Sequence, residues 1–262
     1  MDRKHMSYLI AGVAVGVVAV GVLRDGGAVP AAQAQPAAAS ATRAKTWGPA
    51  GKHERLTTDN CVFAFIDHQT GLMNLVDNAR AVEFKNIVIG LAKTAKIQGV
   101  PTVITTSAPN GPNGPFMPEV LKILPDAPVI DRPGQVNAWD NADFVAAIEK
   151  TGRRKIVMSG ITTDVCVAFA ALSALDAGYE VYVVVDASGS MNADNQNAAI
   201  MRMADAGAII GTWFAINMEL MVDWRNPTGA ATAELLVEHM PSYGEVFHSH
   251  QSQAAAAGGS KK

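Results

Sequence analysis

The stretch Gly160-Ile161-Thr162-Thr163-Asp164-Val165-Cys166 decides how this chain is read, because it sets a cysteine at the turn between a strand and a helix. Before it, Lys155-Ile156-Val157-Met158-Ser159 is a short apolar run of the kind that forms a fully buried strand. After it, Val167, Phe169, Ala170, Leu172 and Leu175 recur at helical spacing as far as Gly178. Cys166 is therefore predicted in the first turn of a helix. Unpaired backbone N–H groups and the positive end of the helix dipole converge there, and both favour a thiolate.

Outward from this motif the chain alternates between short apolar runs and longer helical patterns. Residues 61–66 read as the first strand, 81–98 as a helix, 102–106 as the second strand and 128–131 as a weaker third. A helix over 141–151 precedes the fourth strand, 155–159. The fifth strand is read over 180–186, a helix over 194–206 and a sixth strand over 208–214. Strands alternating with helices imply parallel pairing and helices on both faces, a three-layer α/β fold. In the doubly wound order 3-2-1-4-5-6 the first and fourth strands are neighbours, and ligands bind beyond their C-terminal ends. That order brings Asp67, which closes the first strand, next to Cys166, which follows the fourth.

The segments outside this pattern read differently. Asp2-Arg3-Lys4-His5, an apolar run over 8–23 and Ala31-Ala32-Gln33-Ala34 give a basic start, an apolar centre and a small-residue A-x-A site. Residues 1–34 thus read as a signal for export, periplasmic or secreted, with cleavage near Ala34. An uncleaved membrane anchor over 8–23 is the other reading, although a span needs roughly 20 residues. Residues 35–54, rich in Ala, Pro and Ser, read as a linker, 55–248 as the folded domain, and 249–262 as a disordered tail.

Composition limits the function classes. The chain has 262 residues, 49% of them hydrophobic, enough for one sizeable core. Its formal net charge of -3, without a Lys/Arg run, leaves no electrostatic footprint for nucleic acid. The two cysteines are expected as free thiols. Cys61 opens one strand and Cys166 follows the far end of another, and parallel strands hold such positions further apart than the roughly 7 Å that a disulfide spans.

Asp67 follows Val62-Phe63-Ala64-Phe65-Ile66, and a carboxylate closing so apolar a strand needs a partner. Alone it reads as a cap on the loop Asp67-His68-Gln69-Thr70-Gly71; opposite a cysteine it reads as a general base. Arg132, just past the third strand, is either a surface charge or the electrostatic partner of Asp67; a guanidinium cannot relay a proton near neutral pH. His68 and His53 lack the company that a protease base or a zinc site requires. No H-E-x-x-H or C-x-x-C occurs, and no cofactor or metal is expected. Gln69, Phe116, Asn137 and Trp139 lie in loops that overhang the crevice and are the candidate contacts for a small-molecule substrate.

Together, Ile66-Asp67-His68-Gln69-Thr70-Gly71-Leu72, Gly111-Pro112-Asn113-Gly114-Pro115, Arg132-Pro133-Gly134, Asn137-Ala138-Trp139-Asp140-Asn141, Gly160 through Cys166, Asp186-Ala187-Ser188-Gly189 and Asp223-Trp224-Arg225-Asn226 resemble the isochorismatase-like cysteine hydrolases, most closely the YcaC-like branch. The resemblance runs from about Leu56 to Tyr243. It implies a Rossmann-like six-stranded parallel sheet and a catalytic Asp, basic residue and Cys, which map onto Asp67, Arg132 and Cys166. The basic residue is usually lysine in the wider family. It also implies a cis peptide at Ile161-Thr162, an oxyanion hole made by the N–H groups of Thr162 and Cys166, and a homo-oligomer, the family's octamers being one such assembly. The function so implied is hydrolysis of a small amide or related acyl compound through a Cys166 thioester. Two rivals remain at this point: an isochorismatase-type vinyl-ether hydrolase without a covalent intermediate, and a non-catalytic redox or ligand-binding thiol protein.

Overall fold

The computed structural model describes residues 46–47 and 53–259. Six strands, β1 (Cys61–Ile66), β2 (Thr102–Ser107), β3 (Val129–Arg132), β4 (Lys155–Gly160), β5 (Glu180–Val184) and β6 (Ile209–Gly211), form one parallel sheet in the order β3-β2-β1-β4-β5-β6. This is the 3-2-1-4-5-6 arrangement expected from the alternation. Along β1 the side chains divide between two cores with period two: Cys61, Phe63 and Phe65 enter one, Val62, Ala64 and Ile66 the other. An apolar residue at every position of β1 is what a strand covered on both faces requires.

The first core lies under α1 (Ala81–Gln98), α2 (Pro118–Ile123) and α6 (Trp213–Met221); the second lies under α3 (Ala142–Lys150), α4 (Ala168–Asp176) and α5 (Ala193–Asp205). Local signals set the helix ends. Gly99 terminates α1 in the left-handed conformation, at φ 66°, and returns its N–H to Ala95 and Lys96. Asn141 caps α3 by accepting the Phe144 N–H at 3.0 Å.

Four expectations need adjustment. The third strand extends to Arg132, so this residue is held in the sheet by its pairing with Ser107 instead of lying in a loop. The sixth strand stops at Gly211, because Thr212 caps α6 through Ala215 N–H and draws Trp213 and Phe214 into the helix. Part of the expected linker forms a two-residue antiparallel ladder, Thr46–Trp47 with His53–Glu54. Beyond α7 (Gly229–His239), α8 (Pro241–Gly259) is helical through most of the stretch read as a disordered tail. Its Gln251, Gln253 and Ala254 to Ala257 are good helix formers even without a core-facing pattern. The expected signal or anchor segment, 1–34, lies outside the described residues. Among the described residues no helix is long and apolar enough to cross a membrane.

Candidate active site

The sheet register brings the site together. Ile66 is paired with Thr105 on one side and Gly160 on the other, so Asp67 and Ile161 leave the sheet side by side. Gly160 is required here: a Cβ at this position would sit 2.3 Å from the Ile66 carbonyl oxygen. Asp67 turns the chain out of the sheet at φ 55°, a left-handed conformation that Asp tolerates better than most residues. Its N–H donates to Thr105 O at 2.9 Å.

After Gly160 comes a cis peptide at Ile161-Thr162, then a π-helical turn, Thr163–Val167, which leads into α4. Val167 N–H donates to Thr162 O at 3.1 Å, and Ala168 N–H to Thr163 O, both across five residues. The amides ahead of these bonds belong to the first turn, where N–H groups have no partner within the helix. Thr163 uses its own to bond Gly189 O at 2.8 Å. Thr162 and Cys166 carry the two N–H groups expected to face a developing oxyanion.

Arg132 and Asp67 are both fully buried. Nη2 of Arg132 donates to both carboxylate oxygens of Asp67, each at 2.5 Å. Nε donates to Thr105 Oγ1 at 3.1 Å, and Nη1 to the carbonyl oxygens of Gln135, at 2.5 Å, and Val136, at 3.2 Å. The guanidinium therefore has an acceptor for each of its five N–H bonds. The structure brings Asp67, Arg132 and Cys166 together from the ends of β1, β3 and β4.

The electrostatics of the trio run against the expected thiolate. Burial pushes the Asp67 carboxyl above its ordinary value, and the Arg132 charge and hydrogen bonds from Arg132 and Cys166 offset this in part. Burial also pushes the Cys166 thiol up to about 12, reinforced by the Asp67 charge and a hydrogen bond to it; the Thr162 amide and Arg132 act in the opposite sense. Desolvation and an adjacent carboxylate outweigh the helix terminus. Cys166 is therefore held as a thiol beside Asp67.

The expected substrate contacts divide. The Gln69 amide is committed to the backbone: Oε1 accepts from Ser107 N–H at 2.8 Å, and Nε2 donates to Ser107 O at 3.1 Å and Gly114 O at 2.5 Å. Phe116 is buried edge-on to the His68 ring, 6.0 Å between centroids. Trp139 packs against Phe144 and Tyr179. Asn137 accepts from Trp139 N–H and donates to Ser173 Oγ at 3.0 Å, tying its loop to α4. These contacts commit the four side chains to the loops and helices that carry them.

His68 turns away from the trio into a cage of Phe65, Phe84 and Phe116, with Nε2 3.0 Å from Ala187 O. Burial holds it down at about 4, so it is neutral. Both cysteines are free. Among the described residues no cluster of three or more His, Cys, Asp or Glu side chains could hold a metal ion. Thr105 escaped the sequence reading, although a polar run, Thr105-Thr106-Ser107, closing an apolar strand was its signal.

The isochorismatase domain family matches residues 61–214. The "Probable hydrolase YcaC" of Escherichia coli strain K12 is 44% identical over 199 residues, covering 76% of this chain and 95% of the relative. Among solved structures, YcaC from Pseudomonas aeruginosa, with hexane-2,5-diol and covalent acrylamide, superposes with a TM-score of 0.73 at 45% identity, over 75% of this chain and 97% of that one. YcaC of Escherichia coli, described as an octameric hydrolase of unknown specificity, gives 0.74 at 45% identity, over 76% and 97%.

Proposed function

Since the chain belongs to the isochorismatase family, we propose that it is a hydrolase that cleaves a small amide or related acyl compound through a thioester on Cys166. The observation that carries this reading is the half-buried Cys166 set against the fully buried Asp67, which Arg132 holds, beside the turn that carries the Thr162 and Cys166 N–H groups. As substrate arrives, the Cys166 proton passes to Asp67 and sulfur attacks the acyl carbon. The Thr162 and Cys166 N–H groups hold the tetrahedral oxyanion. Asp67 returns the proton to the departing amine, leaving the thioester. Asp67 then takes a proton from water, the hydroxyl adds to the thioester, and the expelled sulfur regains its proton as the acid leaves. Arg132 supplies fixed charge throughout and relays nothing.

That the Pseudomonas aeruginosa relative was solved with covalent acrylamide supports a reactive nucleophile in this branch. The test is mass spectrometry of the protein quenched during turnover of small amides and esters. An acyl adduct on the peptide bearing Cys166, absent from Cys166→Ala, is expected; turnover undiminished in Cys166→Ala would sink the reading. One observation favours a second reading: burial raises Asp67, as a vinyl-ether hydrolase would need of its acid. Full turnover by Cys166→Ser would select it.

The order of basic start, apolar run and A-x-A in 1–34 supports export, and N-terminal sequencing of the native protein should begin near Gln35. The octameric Escherichia coli relative and exposed apolar side chains such as Val82, 79% accessible, and Met201, 72%, support a homo-oligomer, measurable by light scattering.

A further inference from the structure

The arrangement around Arg132 bears on the charge of the substrate. Arg132 is the cation at the reaction centre, yet its five N–H bonds are all taken by Asp67, Thr105, Gln135 and Val136, and the side chain is fully buried. A carboxylate on a bound ligand would find no donor left on it. Its charge is already matched by Asp67, so the pair presents almost no net field to the crevice.

The loops that follow the strands supply no substitute. The loop after β2, Ala108 to Met117, contains no ionisable side chain. Among the described residues the other base in these loops is Arg80, which is exposed at the start of α1 and paired with Glu83 at 2.8 Å. His68 is neutral and faces the other way. Arg202, on α5, lies over the Phe169 ring, 5.6 Å from its centroid. Acids are present on the same edge: Asp77, Asp140 and Asp164, the last with one buried carboxylate oxygen that has no hydrogen-bond partner. A ligand anion brought here would lose its water without gaining a counter-charge.

We propose that the site accepts uncharged acyl compounds and rejects carboxylates, so that a neutral amide enters and the acid it yields is expelled. This rests on the hydrolase reading above and narrows its substrate class. It gives the charge balance a direction: the crevice holds the substrate better than the carboxylate product, and product inhibition is weak.

The test compares iodoacetamide with iodoacetate, two alkylating agents of nearly equal size that differ in charge. Each rate at Cys166, read on its own peptide to separate it from Cys61, is divided by the rate with 2-mercaptoethanol at the same pH. Iodoacetamide should be favoured at least about tenfold at low salt, and the preference should narrow in about 0.5 M salt, where the screening length falls to a few ångströms. Parity, or a preference for iodoacetate, would overturn the proposal. A second measurement uses Cys166→Ser with butyramide and butyrate: the amide should raise the melting temperature and the carboxylate should not. An equal response to the two, including none to either, counts against it. Alkylation needs only a reachable thiol, so failure to trap a thioester would leave this charge comparison intact, and the two ideas fall separately.

Discussion

Replacing Arg132 with methionine tests whether the ion pair at the heart of the site is as tightly specified as its geometry implies. Arg132 and Asp67 are both fully buried, and the change removes five donors at once while keeping much of the side-chain volume. It leaves a buried carboxylate without a counter-charge and removes a donor from each of two loop carbonyls. Breaking one side of a buried pair costs about 3–5 kcal/mol. Asp67→Asn in the same background removes the stranded charge, and Asn tolerates the φ of 55° at this position. The double variant should therefore be less destabilised than the sum of the singles, with a coupling of about 2 kcal/mol or more.

Urea titration followed by circular dichroism measures all four proteins, with the slope of the transition checked for constancy. The sign of the pH dependence is also fixed. Without Arg132 the folded-state Asp67 rises further above its unfolded value near 3.9, so the folded protein binds the extra proton. The penalty should be full at neutral pH and shrink as pH falls toward 4. A single variant costing under about 1 kcal/mol, or strict additivity in the cycle, would refute the account of Asp67 as a charge that depends on Arg132.

Other consequences follow from the same contacts. Because folded His68 titrates near 4 against 6.5 when unfolded, its neutral burial should contribute about 3 kcal/mol above pH 6.5 that is lost as pH falls toward 4. His68→Phe should flatten that slope in urea titrations at pH 7 and 5, and an unchanged slope would place the acid sensitivity elsewhere. Removing the charge of Asp67 should lower the Cys166 thiol, so Asp67→Asn should alkylate several-fold faster near pH 9 while losing acyl turnover; slower alkylation at every pH would contradict the coupling. In Gly160→Ala the new Cβ meets Ile66 O at 2.3 Å and Val167 Cγ2 at 3.0 Å. The strands must part by about 1 Å, at a cost of about 1–3 kcal/mol and with loss of Cys166 acylation; full activity would show that the β1–β4 spacing is not what sets Asp67 against Cys166.

Much of this was legible in the chain because it rests on local chemistry. The period-two division of Cys61 to Ile66 between two cores follows from hydrophobic transfer, which each residue obeys independently. The alternation of such runs with helical patterns restricted the topology to few choices, and the parallel order placed Asp67 beside Cys166 without any contact being known. Boundaries were less legible where a cap decided them, as at Thr212, whose hydroxyl takes Trp213 and Phe214 out of a strand that their side chains would suit. The end of the chain misled for the opposite reason: intrinsic propensity extends α8 where no apolar face calls for a helix.

What the tertiary structure alone decided is the electrostatic state of the site. Sequence placed Cys166 at a helix start and from that expected a thiolate; burial and the facing Asp67 make it a thiol. Sequence offered Gln69 as a substrate contact and left Arg132 as a surface charge or the partner of Asp67; the fold commits the amide of one to Ser107 and Gly114, and every donor of the other to Asp67, Thr105, Gln135 and Val136. The physical reason is range. Apolar patterning acts through each residue's own exposure to water and is written along the chain. A proton affinity, or a free hydrogen-bond donor, depends on which groups from distant segments arrive within about 3 Å, and only the packed molecule fixes that.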